Sequence, residues 1–267
     1  MENKVVIITG ASSGIGKSCA FEFSKLGAKV VLVARSENSL KDISLKINQN
    51  GGESIFIVVD VSVEKDCEKM IEETISKYGK IDILVNNAGI SMRSVFLNLD
   101  ISVFNKVMAI NFWGSVYCTK YALPYILKSN GSVVGVSSIA GYKGLPGRTA
   151  YSASKFALQG FLESLRIENI KNKLHVLIIC PGFTNSNIRK KALQGDGSQQ
   201  GESPRSEQKM MSSEKVALEM INAIKKRKNT LVLTSSGKLT VLLNKFFPKF
   251  VDKLVFNHMS KEPGSPF

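Results

Sequence analysis

The chain of 267 residues is 43% hydrophobic and carries 36 Lys and Arg against 22 Asp and Glu, a net charge of +14. That length and apolar content suit one large core, and no run of about 18 consecutive apolar residues is present to span a membrane. Cys19, Cys67, Cys118 and Cys180 sit in apolar-periodic segments without metal-ligand spacing, and His175 and His258 lie far apart. Buried reduced thiols and no metal are therefore expected, in an intracellular protein that is cytoplasmic or peripherally membrane-associated. A strand entered by Lys4 leaves no room for a secretory signal. Residues 183–267 hold 15 of the basic and 7 of the acidic side chains. No recognised nucleic-acid motif accompanies that excess, so nucleic acid is not the expected partner.

In chain order, a strand at 4–9 leads into Gly10-Ala11-Ser12-Ser13-Gly14-Ile15-Gly16, and a helix is predicted over 15–26. Strand, glycine turn and helix together suit a pyrophosphate, which the glycines admit to the backbone and the helix N-terminus attracts. The spacing is G-x-x-x-G-x-G rather than the commoner G-x-G-x-x-G. A second strand, 29–34, ends at Ala34 before Arg35 and Ser36, and a helix follows at 37–49. A third, 54–59, ends before Asp60-Val61, with a helix at 64–78. The fourth, 82–85, runs into Asn86-Asn87-Ala88-Gly89 and then a long helix, 101–128, that contains Asn111. The fifth, 131–137, closes on Ser137-Ser138, and a helix at 151–170 begins with Tyr151 and Lys155. The sixth, 174–179, leads to Pro181-Gly182; a helix at 213–226 and a strand at 229–233 complete the series.

The strands are near-continuous apolar runs, as in a parallel sheet covered on both faces. Their alternation with helices predicts an α/β fold: a single-domain, Rossmann-type doubly wound parallel sheet of about seven strands, with its ligand at the carboxyl ends. Every motif named above falls at such an end. Tyr151 and Lys155, four apart on a helix, project to the same side. A phenol titrates near pH ~10, and a neighbouring cation favours its phenolate, as a general acid/base needs.

In this order the motifs resemble the short-chain dehydrogenase/reductase family over roughly residues 4–235. The resemblance implies hydride transfer between a nicotinamide and a carbonyl or secondary alcohol. Tyr151 would protonate the alkoxide, Lys155 would lower the phenol's pKa and hold the nicotinamide ribose, Ser138 would hydrogen-bond the reacting oxygen, and Asn111 would hold a relay water. Gly10, Ser12, Ser13, Gly14, Ile15 and Gly16 would line the diphosphate, and Asp60 and Val61 the adenine. Asn87, Ala88 and Gly89 would pass near the adenosine, with Pro181, Gly182 and Thr184 at the nicotinamide. At the end of the second strand an acid commonly binds the ribose diol; here Ala34 replaces it and Arg35 follows, which points to NADP(H), with Ser12 and Ser36 as auxiliary donors. Ser13 stands where some members carry a second basic residue. An NAD-dependent alcohol dehydrogenase and a non-catalytic cofactor sensor are the competing readings.

Two segments lie outside this scheme. The polar, Gly- and Ser-rich stretch between Asn187 and Ser213 reads as a mobile substrate lid at about 183–213, within a catalytic domain of 1–236. The extension 237–267 repeats Lys245, Lys249 and Lys253 beside Phe246, Phe250 and Leu254, with Pro248 splitting it into two short helices. Its segment 238–256 either lies in a membrane interface or packs on the body or on a second subunit. Similar tails occur in family members that act on lipids, steroids or retinoids, which suggests a hydrophobic ketone or aldehyde of that kind as the small-molecule substrate; the resemblance also implies a homodimer or homotetramer through the helices at 101–128 and 151–170.

Overall fold

The structure is a computed structural model and describes residues 1–204 and 210–267. Seven strands, β1 (Val5–Thr9), β2 (Lys29–Ala34), β3 (Glu53–Val58), β4 (Ile83–Asn86), β5 (Ser132–Val136), β6 (His175–Cys180) and β7 (Thr230–Val232), form one sheet in the order β3-β2-β1-β4-β5-β6-β7. Every pairing is parallel, with Thr9 opposite Val33 and Ile8 opposite Val85. Two apolar layers flank the sheet because successive strand residues point to opposite faces. Ile7, Val31, Leu84 and Val176 face one layer; Ile8, Leu32, Val85 and Leu177 face the other. Each such fully buried aliphatic side chain contributes about 1.5–3 kcal/mol.

The covering helices are α1 (Gly14–Lys25), α2 (Glu37–Gln49), α3 (Glu64–Tyr78), α4 (Ile101–Met108), α5 (Gly114–Lys128), α6 (Thr149–Glu168) and α7 (Ser213–Lys225). Strand order reverses between β1 and β4, which opens a crevice at their carboxyl ends, the usual ligand position in such sheets.

The stretch expected as one helix over 101–128 is instead α4 and α5 joined by a π-helical turn, Ala109–Trp113. Two local contacts accompany it. Asn111 is fully buried and hydrogen-bonds the backbone of Ile90 through both ends of its amide, and Gly114 lies so close to Val61 that a Cβ there would come within 2.8 Å of its Cγ2. Single π turns are common where a helix must aim a functional side chain.

The segment read as a lid is closely docked where it is described; its residues 205–209 lie outside the described residues. Leu193 bridges to Met92, its amide donating to the Ser91 carbonyl and its carbonyl accepting from the Arg93 amide. Ala192 and Leu193 are buried, and the Asp100 amide donates to the Gly195 carbonyl. Beyond β7, α8 (Ser235–Phe246) and α9 (Pro248–Met259) form the expected helix pair, with Pro248 at the first position of the second. The pair packs on its own body: Asn244 donates to the Tyr142 carbonyl, Lys143 pairs with Asp252, and Val251 and Met259 are buried.

Candidate active site

The crevice begins at the glycine turn. Gly10 has φ +66°, and a Cβ there would come within 2.9 Å of Ala88 Cα and of Asn87 Nδ2. On Gly16 a Cβ would strike the Gly10 carbonyl. Larger residues would therefore push the turn away from β4, and the backbone at the start of α1 stays accessible because nothing is attached there. Thr9 fixes the two turns to each other: its hydroxyl accepts the amides of Asn87 and Ala88, both at 3.0 Å, and donates to the Val85 carbonyl. Asn87 Nδ2 in turn donates to the Thr9 carbonyl at 2.8 Å. Ser12, Ser13, Gly14 and Ile15 are partly exposed along the turn, and Ser13 precedes α1 without a side-chain cap bond. Its first-turn amides are thus available to an anion.

Arg35 and Asp60 end neighbouring strands. The Arg35 side chain is 62% exposed, with Nη1 3.7 Å from Asp60 Oδ2. Burial would raise the Asp60 carboxyl, but hydrogen bonds from Ser62 and the charge of Arg35 outweigh it and hold it below the ordinary carboxylate value. The Ser36 hydroxyl pairs with Ser39 at the start of α2. Val61 is buried against Gly114, so its side chain belongs to the core.

The reactive end lies beyond β5. Ser138 caps a short 3-10 turn, Ile139–Gly141, its hydroxyl accepting the Ala140 amide at 3.2 Å. Tyr151 lies in the first turn of α6, and Lys155 Nζ is 5.6 Å from the centre of its ring. The Lys155 ammonium is buried and donates to the Val136 carbonyl at 2.9 Å. Gly89 faces this ammonium: a Cβ there would lie 3.6 Å from Lys155 Nζ and 3.2 Å from Asn111 Oδ1. Asn111 also donates to Ser154 Oγ at 3.0 Å. Its side chain is therefore spent on positioning Ile90 and α6.

Burial dominates the electrostatics of this pair. It pushes the Tyr151 phenol above its ordinary value, opposed by a hydrogen bond with Ser138 and by the charges of Arg148 and Arg189. Burial also pulls Lys155 down from 10.5 to about 8. The phenol thus moves up rather than down in the free protein, because desolvation disfavours the charged form of each residue.

Beyond β6, Pro181 is buried and Gly182 is held by Thr234, which a Cβ on Gly182 would meet at 2.6 Å. Thr184 is buried, its hydroxyl turned to the Gly182 carbonyl at 3.2 Å. The docked segment closes over the glycine turn, where a Cβ on Gly14 would lie 3.2 Å from Ser186 Cβ. Thr9, Ser154, Arg148 and Arg189 escape sequence reasoning. Thr9 stands directly before the glycine turn and Ser154 between Tyr151 and Lys155, so both could have been found from the motifs; the two arginines carry no local signal.

The chain matches the family model for short chain dehydrogenases over residues 4–197. It is 42% identical over 197 residues to 11-beta-hydroxysteroid dehydrogenase 1A of Arabidopsis thaliana, covering 73% of this chain and 56% of the relative. The 11-beta-hydroxysteroid dehydrogenase of Pinus massoniana is 44% identical over 190 residues, 70% of this chain and 53% of that protein. The chain thus spans little more than half the length of these relatives. Among solved structures, a short chain dehydrogenase/reductase from Burkholderia phymatum in complex with NAD superposes with a TM-score of 0.83 at 23% identity, over 93% of this chain and 95% of that one. An alcohol dehydrogenase from Thermococcus sibiricus complexed with 5-hydroxy-NADP gives 0.75 at 23% identity, over 87% and 96%. Sheet order, crevice and sequence agree, and the chain belongs to the short-chain dehydrogenase/reductase family of oxidoreductases.

Proposed function

We propose that the protein is an NADPH-dependent reductase of a hydrophobic, lipid-, steroid- or retinoid-like ketone or aldehyde, with Tyr151 as the proton donor. The observation that carries this reading is the convergence of Ser138, Tyr151 and Lys155 beyond β5, on the same sheet edge as the glycine cradle and the exposed Arg35. The cradle fits a dinucleotide: Gly10 and Gly16 leave room that a side chain would fill, and the first-turn amides of α1 face it. When bound, the cofactor supplies the hydride. Lys155 holds the nicotinamide ribose, Arg35 meets the 2′-phosphate, Ser138 steadies the carbonyl oxygen, and Tyr151 delivers a proton to that oxygen. The relatives named as hydroxysteroid dehydrogenases support an apolar substrate of some size.

Arg35→Ala tests the cofactor. A guanidinium–phosphate bond is worth about 1.5–3 kcal/mol, so NADPH affinity is expected to fall about 10- to 100-fold. NADH affinity should change less than about twofold. Fluorescence titration of both cofactors measures it; an unchanged NADPH-to-NADH ratio removes Arg35 as the phosphate reader.

The tail fits a peripheral membrane surface. Leu239, Leu242, Phe246, Phe247, Phe250 and Leu254 are 47% to 63% exposed on α8, α9 and the joint between them, and Lys245, Lys249 and Lys253 are interleaved with them. Among the described residues no helix is long and apolar enough to cross a membrane, so contact would be interfacial. The full chain is expected to co-sediment with vesicles containing anionic lipid, and Phe246→Glu/Phe250→Glu to stay in the supernatant. Equal sedimentation of the two would end this part of the reading. Exposed Trp113 and Phe156 and, further along, Ile167 and Ile170 support a homodimer or homotetramer through α5 and α6.

A further inference from the structure

One buried amide joins the three parts of the reactive end. Tyr151, Lys155 and Gln159 follow one another at four-residue spacing on α6, so they share a face of that helix. Gln159 is 6% exposed. Its Nε2 donates to Ser137 Oγ at 2.9 Å and lies 4.0 Å from Cys180 Sγ. Ser137 directly precedes Ser138, and Cys180 ends β6 directly before Pro181. The amide therefore meets the turn that carries Ser138 and the strand end that leads to Pro181-Gly182, from the helix that carries the phenol and the ammonium.

The Ser138 turn is pressed onto this amide. Gly141 closes the turn, and a Cβ on it would strike Gln159 Nε2 and come within 2.7 Å of Ser137 Oγ and 3.0 Å of the Lys155 carbonyl. The Ser137 hydroxyl itself reaches the Lys155 carbonyl at 3.5 Å, and its amide donates to the Ile179 carbonyl at 2.8 Å. Within the turn the backbone bonds are internal: Gly141 donates to Ser138, and Tyr142 and Lys143 donate to Ile139. Its sideways attachments to α6 are the bonds from Lys155 to Val136, from the Leu145 amide to Ser152, and from Gln159 to Ser137.

Packing alone does not call for an amide here. A buried amide is costly unless its hydrogen bonds are made, and methionine fills such a site without that demand. What the amide adds is direction, because a hydrogen bond fixes distance and angle together and an apolar contact does not. Ser138 needs that direction: its hydroxyl bonds with the Tyr151 phenol, and Ser137 sets the backbone from which it projects.

We propose that Gln159 is a positioning residue, which holds the Ser138 turn in register with Tyr151 and Lys155 through Ser137. The inference rests on the carbonyl-reductase reading for its effect on turnover, and on the geometry alone for its effect on the bond between Ser138 and Tyr151. Without the amide the turn loses its anchor at Ser137, and the Ser138 hydroxyl moves off the phenol. The glycine cradle, built at the ends of β1 and β4, is untouched.

The test uses the full chain with NADPH and benzaldehyde. Gln159→Met keeps the length of the side chain and removes its donors. It should lower kcat about tenfold, as a small misplacement of a reacting group does. The Kd for NADPH and the KM for benzaldehyde should each move less than about threefold. Gln159→Glu supplies a signature of its own: protonated, its carboxyl donates to Ser137 as the amide does; ionised, it only accepts. Burial raises such a carboxyl toward neutrality, so kcat of this variant should approach wild type at about pH 5.5 and fall about tenfold by about pH 8, where wild type stays level.

Carbon NMR of tyrosine labelled at Cζ reads the geometry without turnover. The Tyr151 resonance, identified by its loss in Tyr151→Phe, should shift in Gln159→Met toward its position in Ser138→Ala. An unmoved resonance would show a structural amide only and overturn the proposal, as would a Gln159→Glu profile that parallels wild type. If wild type reduces no carbonyl compound, the carbonyl-reductase reading fails and the resonance still decides: a shift supports the positioning role, and no shift overturns it. Should Gln159→Met not fold, Ser137→Ala removes the other half of the bond and is read in the same way.

Discussion

Tyr151→Phe is expected to lower kcat for carbonyl reduction by about 10²- to 10⁴-fold, the range that a positioned acid contributes. NADPH affinity and thermal stability should hardly move. The reasoning separates the ring from its hydroxyl. The ring packs with Met92, Ala150 and Leu193, and phenylalanine keeps that contact. The hydroxyl bonds with Ser138 and, in the proposed mechanism, contributes the proton. Because burial raises the phenol's pKa, it is protonated throughout the neutral range, which suits the reductive direction. Reduction should therefore be insensitive to pH near neutrality and decline only on the alkaline side, while oxidation of the alcohol, which needs the phenolate, should accelerate as pH rises. Stopped-flow NADPH oxidation under single-turnover conditions measures the step itself. A phenylalanine variant that keeps more than a tenth of the wild-type rate would remove Tyr151 from the proton-donor role.

Much of this geometry was legible because parallel α/β sheets announce themselves locally. Runs such as Val5-Val6-Ile7-Ile8 and Leu174-His175-Val176-Leu177 can only be strands buried on both faces, and the observed strands depart from the expected bounds by at most one residue at either end. The motif residues were legible for a related reason: each follows a strand end, and the topology gathers those ends. What stayed hidden depends on contacts between residues far apart in the chain. The π turn carries no local breaker between Ala109 and Trp113, so 101–128 reads as one helix; what accompanies it is long-range, Asn111 reaching Ile90 and Gly114 meeting Val61. The polar composition of the lid segment hides one apolar anchor, Leu193, whose partner Met92 is a hundred residues away. Desolvation is invisible in a sequence altogether, which is why the spacing of Tyr151 and Lys155 is right about proximity and misleading about the phenol's pKa.

Lys155→Met is expected to stabilise the free protein at pH 7 while abolishing turnover and most NADPH affinity. Burial lowers the ammonium from 10.5 to about 8, which corresponds to roughly 3 kcal/mol of unfavourable folded-state charge when the group is protonated. Methionine has similar length and no charge, so that penalty disappears, although the Val136 carbonyl loses its partner at a cost of about 1–2 kcal/mol. A net gain of about 1–2 kcal/mol follows. The sign of the pH dependence is fixed by the direction of the shift. Below about pH 8 folded and unfolded wild type are both protonated, and the penalty is complete. Between about 8 and 10.5 the unfolded chain holds more protons, so wild-type stability from this group rises with pH. The advantage of Lys155→Met should accordingly be largest at pH 7 and shrink as the buffer approaches pH 10. Urea unfolding of both proteins at the two pH values measures this difference directly. A variant that is less stable than wild type at pH 7, or whose advantage grows with pH, would mean that Lys155 is well solvated in the folded chain. The expected pattern would instead identify Lys155 as a residue held against the folding interest of the protein, a stability penalty kept because a cation is needed beside Tyr151 when substrate and cofactor are in place.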